Sequence, residues 1–365
     1  MLLKSFRYLL IPFALLYGAV IWLRNRMFDK NILKSSSFNF PIICIGNLSV
    51  GGTGKTPMVE YLVRLLKNDL HVATLSRGYK RKTKGFAIAG EGTTALEIGD
   101  EPMQLHGKFP EITVAVGEER LVAIPQLLHE RPETAVILLD DAFQHRSVRA
   151  GLNILLTDYK NLYTRDLLLP AGDLRDLRSG SRRAHIILVS KCRPGLTDTE
   201  KKAIITEIGP AQDQAIFFTA IEYGRPYHLF NKKEISITEN MDTLLICAIA
   251  SPGPLKEFLN RKVHTYDMLR YRDHHIFDMD DLEDIKKQFG KMRSGNKIIF
   301  TTEKDAVRLQ KFENELQDFP IYVIPIIHRF LFNEGGDFDA RVQTFIKGFS
   351  LNNPEKPFYI KPDQP

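Results

Sequence analysis

The chain has 365 residues, enough for two domains, and its 44% hydrophobic and 26% charged content is typical of a folded protein. The net charge of +6 suits an anionic ligand or an anionic membrane surface but establishes neither. Three widely spaced cysteines argue against a disulfide framework and against a zinc site, so a reducing cytosol fits the composition.

The first 30 residues contain an uncharged run of 16 residues, Tyr8 to Leu23, with cationic residues on both sides. A helix of that length reaches about 24 Å, which is shorter than the roughly 30 Å hydrocarbon core, and Pro12 interrupts it. No small-residue cleavage site follows, which disfavours a signal peptide. We expect an interfacial helix, with a transmembrane anchor or a helix packed on its own domain as alternatives.

A glycine-rich loop follows the strand-like run Pro41 to Ile45 and precedes an amphipathic helical pattern. This order of strand, loop and helix is the context that a phosphate-binding loop requires. We expect Lys55 to reach the β- and γ-phosphates of a nucleotide and Thr56 to bind Mg²⁺. The predicted nucleotide-binding residues are Ser49, Val50, Gly51, Gly52, Thr53, Gly54, Lys55 and Thr56.

The next strand, His71 to Leu75, ends just before Arg77. Open α/β sheets bind ligands at the carboxyl ends of their strands, which makes Arg77 a candidate for substrate binding. Asp100 then stands where a new helix begins, and helix capping is the simplest structural explanation for it. A third strand, Ile112 to Val116, and another helix follow.

The apolar run Ala135 to Leu139 predicts a buried parallel strand that ends in Asp140 and Asp141. Carboxylates in this position hold Mg²⁺ in nucleotide-binding proteins, and Gln144 follows closely. Two further strands, Leu152 to Leu156 and His185 to Val189, enclose an arginine-rich loop.

Arg175 is the best candidate in that loop for binding a phosphate, because guanidinium forks suit phosphate oxygens. A solvated or salt-bridged loop is the alternative. Guanine-reading loops have an aspartate where Arg193 stands, which favours ATP over GTP.

A second series of alternating strands and helices begins near Glu222 and predicts another α/β unit. We therefore expect an α/β fold with a mostly parallel, P-loop NTPase-like sheet domain and a smaller α/β domain. The predicted ranges are 1–30 for a membrane-associated helix, 31–221 for the nucleotide-binding domain, 222–330 for the smaller domain closing the cleft, 331–350 for a C-terminal helix and 351–365 for a disordered tail.

Taken in order, several stretches resemble the tetraacyldisaccharide 4′-kinases, the lipid A 4′-kinases of Gram-negative bacteria. The stretches are Ser49–Thr56, Ser76–Tyr79, Gly99–Pro102, Asp140–His145, Leu168–Arg175, Asp273-His274 and Thr302–Arg308. The resemblance implies transfer of the γ-phosphate of ATP to the 4′-hydroxyl of a lipid A disaccharide 1-phosphate, at the cytoplasmic face of the inner membrane. It implies no nucleic acid and no obligate protein partner.

The resemblance also implies roles for single residues. Asp100 corresponds to the catalytic carboxylate, His274 to the histidine that supports it, Asp140 and Asp141 to the acidic pair near the metal, and Arg175 to a substrate-binding arginine. With the residue patterns above, the predicted catalytic residues are Asp100, His274 and Lys55. The predicted metal-binding residues are Thr56, Asp140 and Asp141, and the predicted substrate-binding residues are Arg77, Gln144 and Arg175. Two alternatives stay open: a nucleotide-driven switch or targeting ATPase, and a membrane-bound nucleotide sensor without turnover.

Overall fold

The structure, a computed structural model, describes residues 7–273 and 275–352. Its α-helices are α1 (Ile11–Asp29), α2 (Lys55–Leu66), α3 (Ala95–Ile98), α4 (Asp100–Lys108), α5 (Arg120–Glu130), α6 (Asp198–Ile208), α7 (Gly253–Asn260), α8 (Met279–Lys291), α9 (Glu303–Leu309), α10 (Glu313–Leu316) and α11 (Gly335–Asn352). Short 3₁₀ helices span Arg178–Arg183 and Gln310–Phe312.

The strands are β1 (Ser36–Ser37), β2 (Ile42–Asn47), β3 (Val72–Ser76), β4 (Ala87–Ile88), β5 (Thr113–Val116), β6 (Val136–Asp140), β7 (Val148–Arg149), β8 (Leu152–Asp158), β9 (Ile186–Ser190), β10 (Ala215–Tyr223), β11 (Tyr227–His228), β12 (Asp242–Cys247), β13 (Thr265–Arg270), β14 (Lys297–Thr302), β15 (Ile321–Ile324) and β16 (Ile326–Phe330). Most paired strands run parallel, so the predicted α/β class is confirmed.

The larger sheet has the strand order β16-β10-β9-β8-β2-β6-β3-β5-β4 within the described residues. Among the described strands of this sheet, only the edge strands β16 and β4 pair antiparallel with their neighbours. Apolar residues of α2 and α11 pack on one face, and those of α5 and α6 on the other. Strands covered on both faces have continuous apolar runs, as β2 has over residues 42–45 and β6 over residues 136–139. Parallel strands end at the same edge, so the polar residues that follow β2, β3 and β6 lie together there.

The smaller sheet has the order β11-β15-β14-β12-β13, with β12 to β15 parallel. Helices α8 and α9 contribute to the core on one face, and α7 to the core on the other. This unit therefore has a hydrophobic core of its own, made from the same alternation of strand and helix as the larger unit.

One boundary differs from the predicted ranges. Strand β10 continues to Tyr223, and β16, assigned by the sequence to the range 222–330, pairs antiparallel with β10 in the larger sheet. The smaller unit is thus inserted between two neighbouring strands of the larger one. Helix α11 includes residues 351 and 352, which the sequence placed in a disordered tail, and residues 353–365 lie outside the described part.

Helix α1 has one packed face and one exposed apolar face. Ala14, Gly18 and Phe28 are buried, and Asn25 donates to Asp176 Oδ1 at 2.8 Å. The exposed large apolar side chains in and just before the helix are Tyr8, Leu9, Ile11, Phe13, Leu15, Leu16, Val20, Trp22 and Leu23. Within residues 7–273 and 275–352, none of the helices has the length and apolar character needed to cross a membrane.

Candidate active site

The phosphate loop, defined here as residues 49–56, connects β2 to α2. Gly51 and Gly54 have φ angles of 100° and 85°, in the left-handed region that favours glycine. A Cβ at Gly51 or Gly52 would meet no protein atom within 4 Å, so this side of the loop has room for an anion. Helix α2 begins at Lys55, which places the positive end of its dipole at the loop.

Lys55 belongs to a polar network at the carboxyl end of β2. Its Nζ lies 3.2 Å from Asn47 Oδ1 and 3.5 Å from Asp141 Oδ1. Arg175 donates to both oxygens of the same carboxylate, with Nη1 3.0 Å from Asp141 Oδ2. Burial by itself would raise the pKa of Asp141, but Arg175 and Lys55 outweigh burial and lower that pKa. Asp141 therefore stays ionised and holds two cationic side chains beside the loop.

Asp140 is the more deeply buried acid, with 3% of its surface exposed. Burial, reinforced by the carboxylates of Glu101 and Asp141, raises its pKa. Asp140 Oδ1 has no hydrogen-bond partner within the described residues, and a buried carboxylate oxygen without a partner is unfavourable. A cation at this point would satisfy it.

Mg²⁺ fits this position because it takes one or two carboxylates and completes its shell with water and phosphate oxygens. The Thr56 hydroxyl, in the first turn of α2, is the further protein ligand available beside the loop. Across residues 7–273 and 275–352 there is no group of three or more His, Cys, Asp or Glu side chains that could hold a metal ion.

Two of the predicted substrate-binding residues follow neighbouring strands. Arg77 comes directly after β3 and is exposed, and Gln144 follows β6 and donates to the carbonyl oxygen of Asn47 at 2.8 Å. Because β3 and β6 pair in parallel, both residues lie at the edge of the sheet that carries the phosphate loop. Asp140, the last residue of β6, lies at this edge as well.

The arginine loop, residues 167–176, is attached directly to the phosphate loop. Leu174 forms an antiparallel bridge with Ser49, which joins the two loops through their backbones. Helix α1 covers the other side, where the hydroxyl of Tyr17 donates to the carbonyl oxygen of Arg175 at 2.9 Å. Arg175 is therefore held between the phosphate loop and the helix with the exposed apolar face.

Asp100 is the first residue of α4, and Gly99 occupies the N-cap position, so Asp100 is not the cap. Arg308, from α9 of the smaller unit, donates through Nη2 to Asp100 Oδ2. Its Nη1 lies 3.3 Å from the carbonyl oxygen of His275. His274 lies outside the described residues. Arg308 connects Asp100 to the backbone of the next residue, His275. This contact joins the two units at the predicted catalytic carboxylate.

A buried ionic cluster joins the same helices further along. Lys108 of α4 pairs with Glu60 of α2 at 2.5 Å and with Glu303 of α9. Burial, together with the Glu60 carboxylate, raises the pKa of Glu303 to about 7, although Lys108 acts in the opposite direction. Burial, reinforced by the carboxylates of Glu303 and Glu60, also raises the pKa of Tyr227. This cluster is a second contact between the units.

Sequence reasoning did not single out Asn47, Arg120 or Arg308. Asn47 ends an apolar strand immediately before the glycines, a position that could have indicated its role. Arg120 is buried close to Asp140, and its Nε and Nη2 have no hydrogen-bond partner in the described part of the chain. Nothing in the sequence around it distinguishes it from a surface arginine at a helix start. Arg308 lies in a stretch that carries the family resemblance, but only the fold brings it to Asp100.

A sequence model of the tetraacyldisaccharide-1-P 4′-kinase family matches residues 6–347. The chain belongs to this family. The tetraacyldisaccharide 4′-kinase of Bacteroides thetaiotaomicron is 44% identical over 359 residues, with 94% of each chain covered. That of Flavobacterium johnsoniae is 46% identical over 344 residues, with 93% of this chain and 97% of the relative covered.

The crystal structure of LpxK from Aquifex aeolicus, in complex with ATP, is similar with a TM-score of 0.72 and 28% identity. The match covers 93% of this chain and 99% of the Aquifex chain. These comparisons confirm the predicted family, fold class and enzyme class. The roles of its individual residues stay predictions.

Proposed function

We propose that this kinase transfers the γ-phosphate of ATP to the 4′-hydroxyl of a tetraacyldisaccharide 1-phosphate, the lipid A precursor that the family name implies. One observation carries the proposal. Arg308 of the smaller unit holds Asp100, a carboxylate suited to activating a hydroxyl, and the next residue, Glu101, is close enough to Asp140 to raise the pKa of that acid. Asp100 would therefore lie on the side of the larger sheet that carries the phosphate loop.

The phosphate loop and Lys55 would position the β- and γ-phosphates and stabilise the charge that develops during transfer. The Lys55 ammonium lies between Asn47 and Asp141, so its position is set before a nucleotide binds. Asp140 and Thr56 would hold Mg²⁺, with Asp141 next to them, and the ion would neutralise phosphate charge. Arg175, paired with Asp141, faces the same site.

Asp100 would accept the proton of the attacking 4′-hydroxyl, because a sugar hydroxyl is a weak nucleophile until a base takes its proton. We propose that His274 orients this carboxylate and that Arg308 holds Asp100 against the smaller unit. Arg308 touches Asp100 directly and the backbone at His275, which follows His274. Closure of the units over bound substrates would also exclude water and limit ATP hydrolysis.

Helix α1 would place the site at the membrane that holds the acyl chains of the acceptor. Its exposed face is apolar, and its buried face contacts the arginine loop through Tyr17 and Asn25. An apolar face flanked by cationic residues suits an anionic lipid surface. We propose attachment at the cytoplasmic face of the bacterial inner membrane, with Arg77, Gln144 and Arg175 contacting the acceptor's polar head.

Incubation of the purified protein with γ-labelled ATP, Mg²⁺ and lipid A disaccharide 1-phosphate, followed by thin-layer separation, tests the proposal. Label transferred to the lipid supports it, and no protein partner is needed for the assay. ATP hydrolysis without labelled lipid would favour the switch ATPase, and ATP binding without turnover would favour the sensor. Either of these results would overturn the kinase proposal for this chain.

The Asp100 and His274 pair needs a separate test, because a kinase could use another base. If the two act as a unit, Asp100→Ala and His274→Ala should each lose most of the turnover, and the double variant little more. The affinity for ATP should change little in all three. Losses that simply multiply in the double variant would contradict a shared role.

A further inference from the structure

Three successive carbonyl oxygens of the phosphate loop accept hydrogen bonds from side chains outside it. The pairs are Lys191 Nζ with Gly52, Ser190 Oγ with Thr53 at 2.7 Å, and His328 Nε2 with Gly54 at 2.8 Å. We propose that Ser190, Lys191 and His328, named here the carbonyl clamp, orient the loop so that its amides bind phosphate. The inference rests on the proposed function in one respect, that the loop binds the phosphates of ATP.

The geometry of the peptide bond connects the clamp to the ligand. In a trans peptide the C=O of one residue and the N–H of the next point in opposite directions within one plane. Holding the carbonyls of residues 52–54 therefore directs the N–H groups of residues 53–55 to the opposite side. A Cβ at Gly52 would meet no protein atom within 4 Å, so the loop has open space beside it. Amides held in this way need little rearrangement to bind an anion.

His328 has a defined protonation state in this arrangement. The Gly54 carbonyl can only accept, so His328 Nε2 carries the proton, and Nδ1 accepts from the hydroxyl of Thr219 at 2.9 Å. Burial, with a smaller contribution from Lys191, lowers the pKa of His328 to about 4. The ring is therefore neutral near pH 7. It also packs closely, since a Cβ at Gly54 would lie 3.1 Å from it.

The clamp comes from two separate parts of the chain. Ser190 ends β9, and Lys191 follows it, with its ammonium also paired with Asp158 at 2.9 Å. His328 lies on β16, which follows the smaller unit in the chain and pairs with β10 of the larger sheet. The donors reach the loop through its carbonyls, so they are positioning residues. Pairing of β16 with β10 thus contributes to the shape of the nucleotide site.

The test uses the full-length protein and measures the Kd of ATP with Mg²⁺ and the Kd of inorganic tripolyphosphate, which reports on the loop alone. The variants are Ser190→Ala, His328→Leu and His328→Gln, whose amide can donate from about the position of Nε2. Thr243→Val is the matched control, because Thr243 is equally buried and its hydroxyl bonds to a backbone carbonyl far from the loop, that of Thr265.

We expect Ser190→Ala and His328→Leu each to raise the Kd of both ligands by the same factor, about two- to tenfold, the effect of losing one hydrogen bond. Turnover at saturating ATP should change less than these Kd values, because the amides bind the phosphates both before and during transfer. His328→Gln should recover most of the affinity although it also removes the ring. Thr243→Val should bind both ligands like the unmodified protein.

Folded variants that bind both ligands with unchanged affinity would overturn the clamp. So would weaker ATP binding with unchanged tripolyphosphate binding, or equal losses in His328→Gln and His328→Leu. If His328→Leu does not fold, Ser190→Ala decides the question. If the unmodified protein binds ATP but never labels the lipid, the proposed function fails and the clamp can still be correct. If it binds neither ligand, both fail.

Discussion

Replacing Arg308 by methionine tests whether the smaller unit positions Asp100. Methionine keeps much of the apolar stem but removes the guanidinium that donates to Asp100 and to the carbonyl of His275. A hydrogen bond between charged groups contributes about 1.5–3 kcal/mol. The Asp100 side chain is 26% exposed, so water can replace part of the contact and we take the lower value. About 1.5 kcal/mol corresponds to a turnover lowered roughly tenfold.

The assay is the rate of labelled phosphate transfer at saturating ATP and lipid, with both KM values and the melting temperature measured on the same samples. Arg308→Lys keeps the charge without the planar fork and should lose less than Arg308→Met. Arg261→Met is the control in the same unit, because its ion pair with Glu257 is exposed at the C-terminal end of α7. It should leave kcat and the melting temperature close to their original values.

A double variant decides whether Arg308 acts through Asp100. If it does, Arg308→Met introduced into Asp100→Ala should lower turnover little further. Folded Arg308→Met protein with unchanged kcat would refute the reasoning. So would a full tenfold loss in the Asp100→Ala background, since Arg308 would then act on something else.

Lys55→Ala should keep its fold and lose turnover by about 10²-fold, because a charge that stabilises the transition state is removed; near-normal kcat would contradict the assignment of the phosphate loop. The double variant Leu16→Glu and Leu23→Glu, on the exposed face of α1, should no longer sediment with anionic vesicles, and its melting temperature should be unchanged. Retained sedimentation would show that the protein attaches to the membrane through another surface. The pKa of Glu303 is raised from 4.5 to about 7, so its contribution to stability is present below pH 4.5 and is lost as the pH rises to 7. Glu303→Gln should therefore raise the melting temperature more, or lower it less, at pH 8 than at pH 5. An equal change at both pH values would show that Glu303 does not titrate in this range.

The phosphate loop and the acidic pair could be predicted from the sequence because each is specified locally. An apolar run without alternation identifies a strand buried on both faces, and the glycines of the loop need φ angles that other residues rarely adopt. Arg77 was chosen because it follows a strand of an open α/β sheet, where ligands bind, and Asp140 because it ends an apolar strand. In the structure both residues and Gln144 lie at the edge of the sheet that carries the phosphate loop, because β2, β6 and β3 pair in parallel.

Contacts between distant parts of the chain were decided only by the tertiary structure. Strand β16 was missed because its five residues include a histidine and an arginine and their partner, β10, is separated from them by the whole smaller unit. The contacts of His328 with Gly54 and of Arg308 with Asp100 therefore could not be predicted from the sequence. They depend on the packing of both units. Local residue pattern determines which segments become strands, helices and tight turns. Which of these segments contact one another depends on how all the apolar faces are buried together. No single stretch of sequence contains that information.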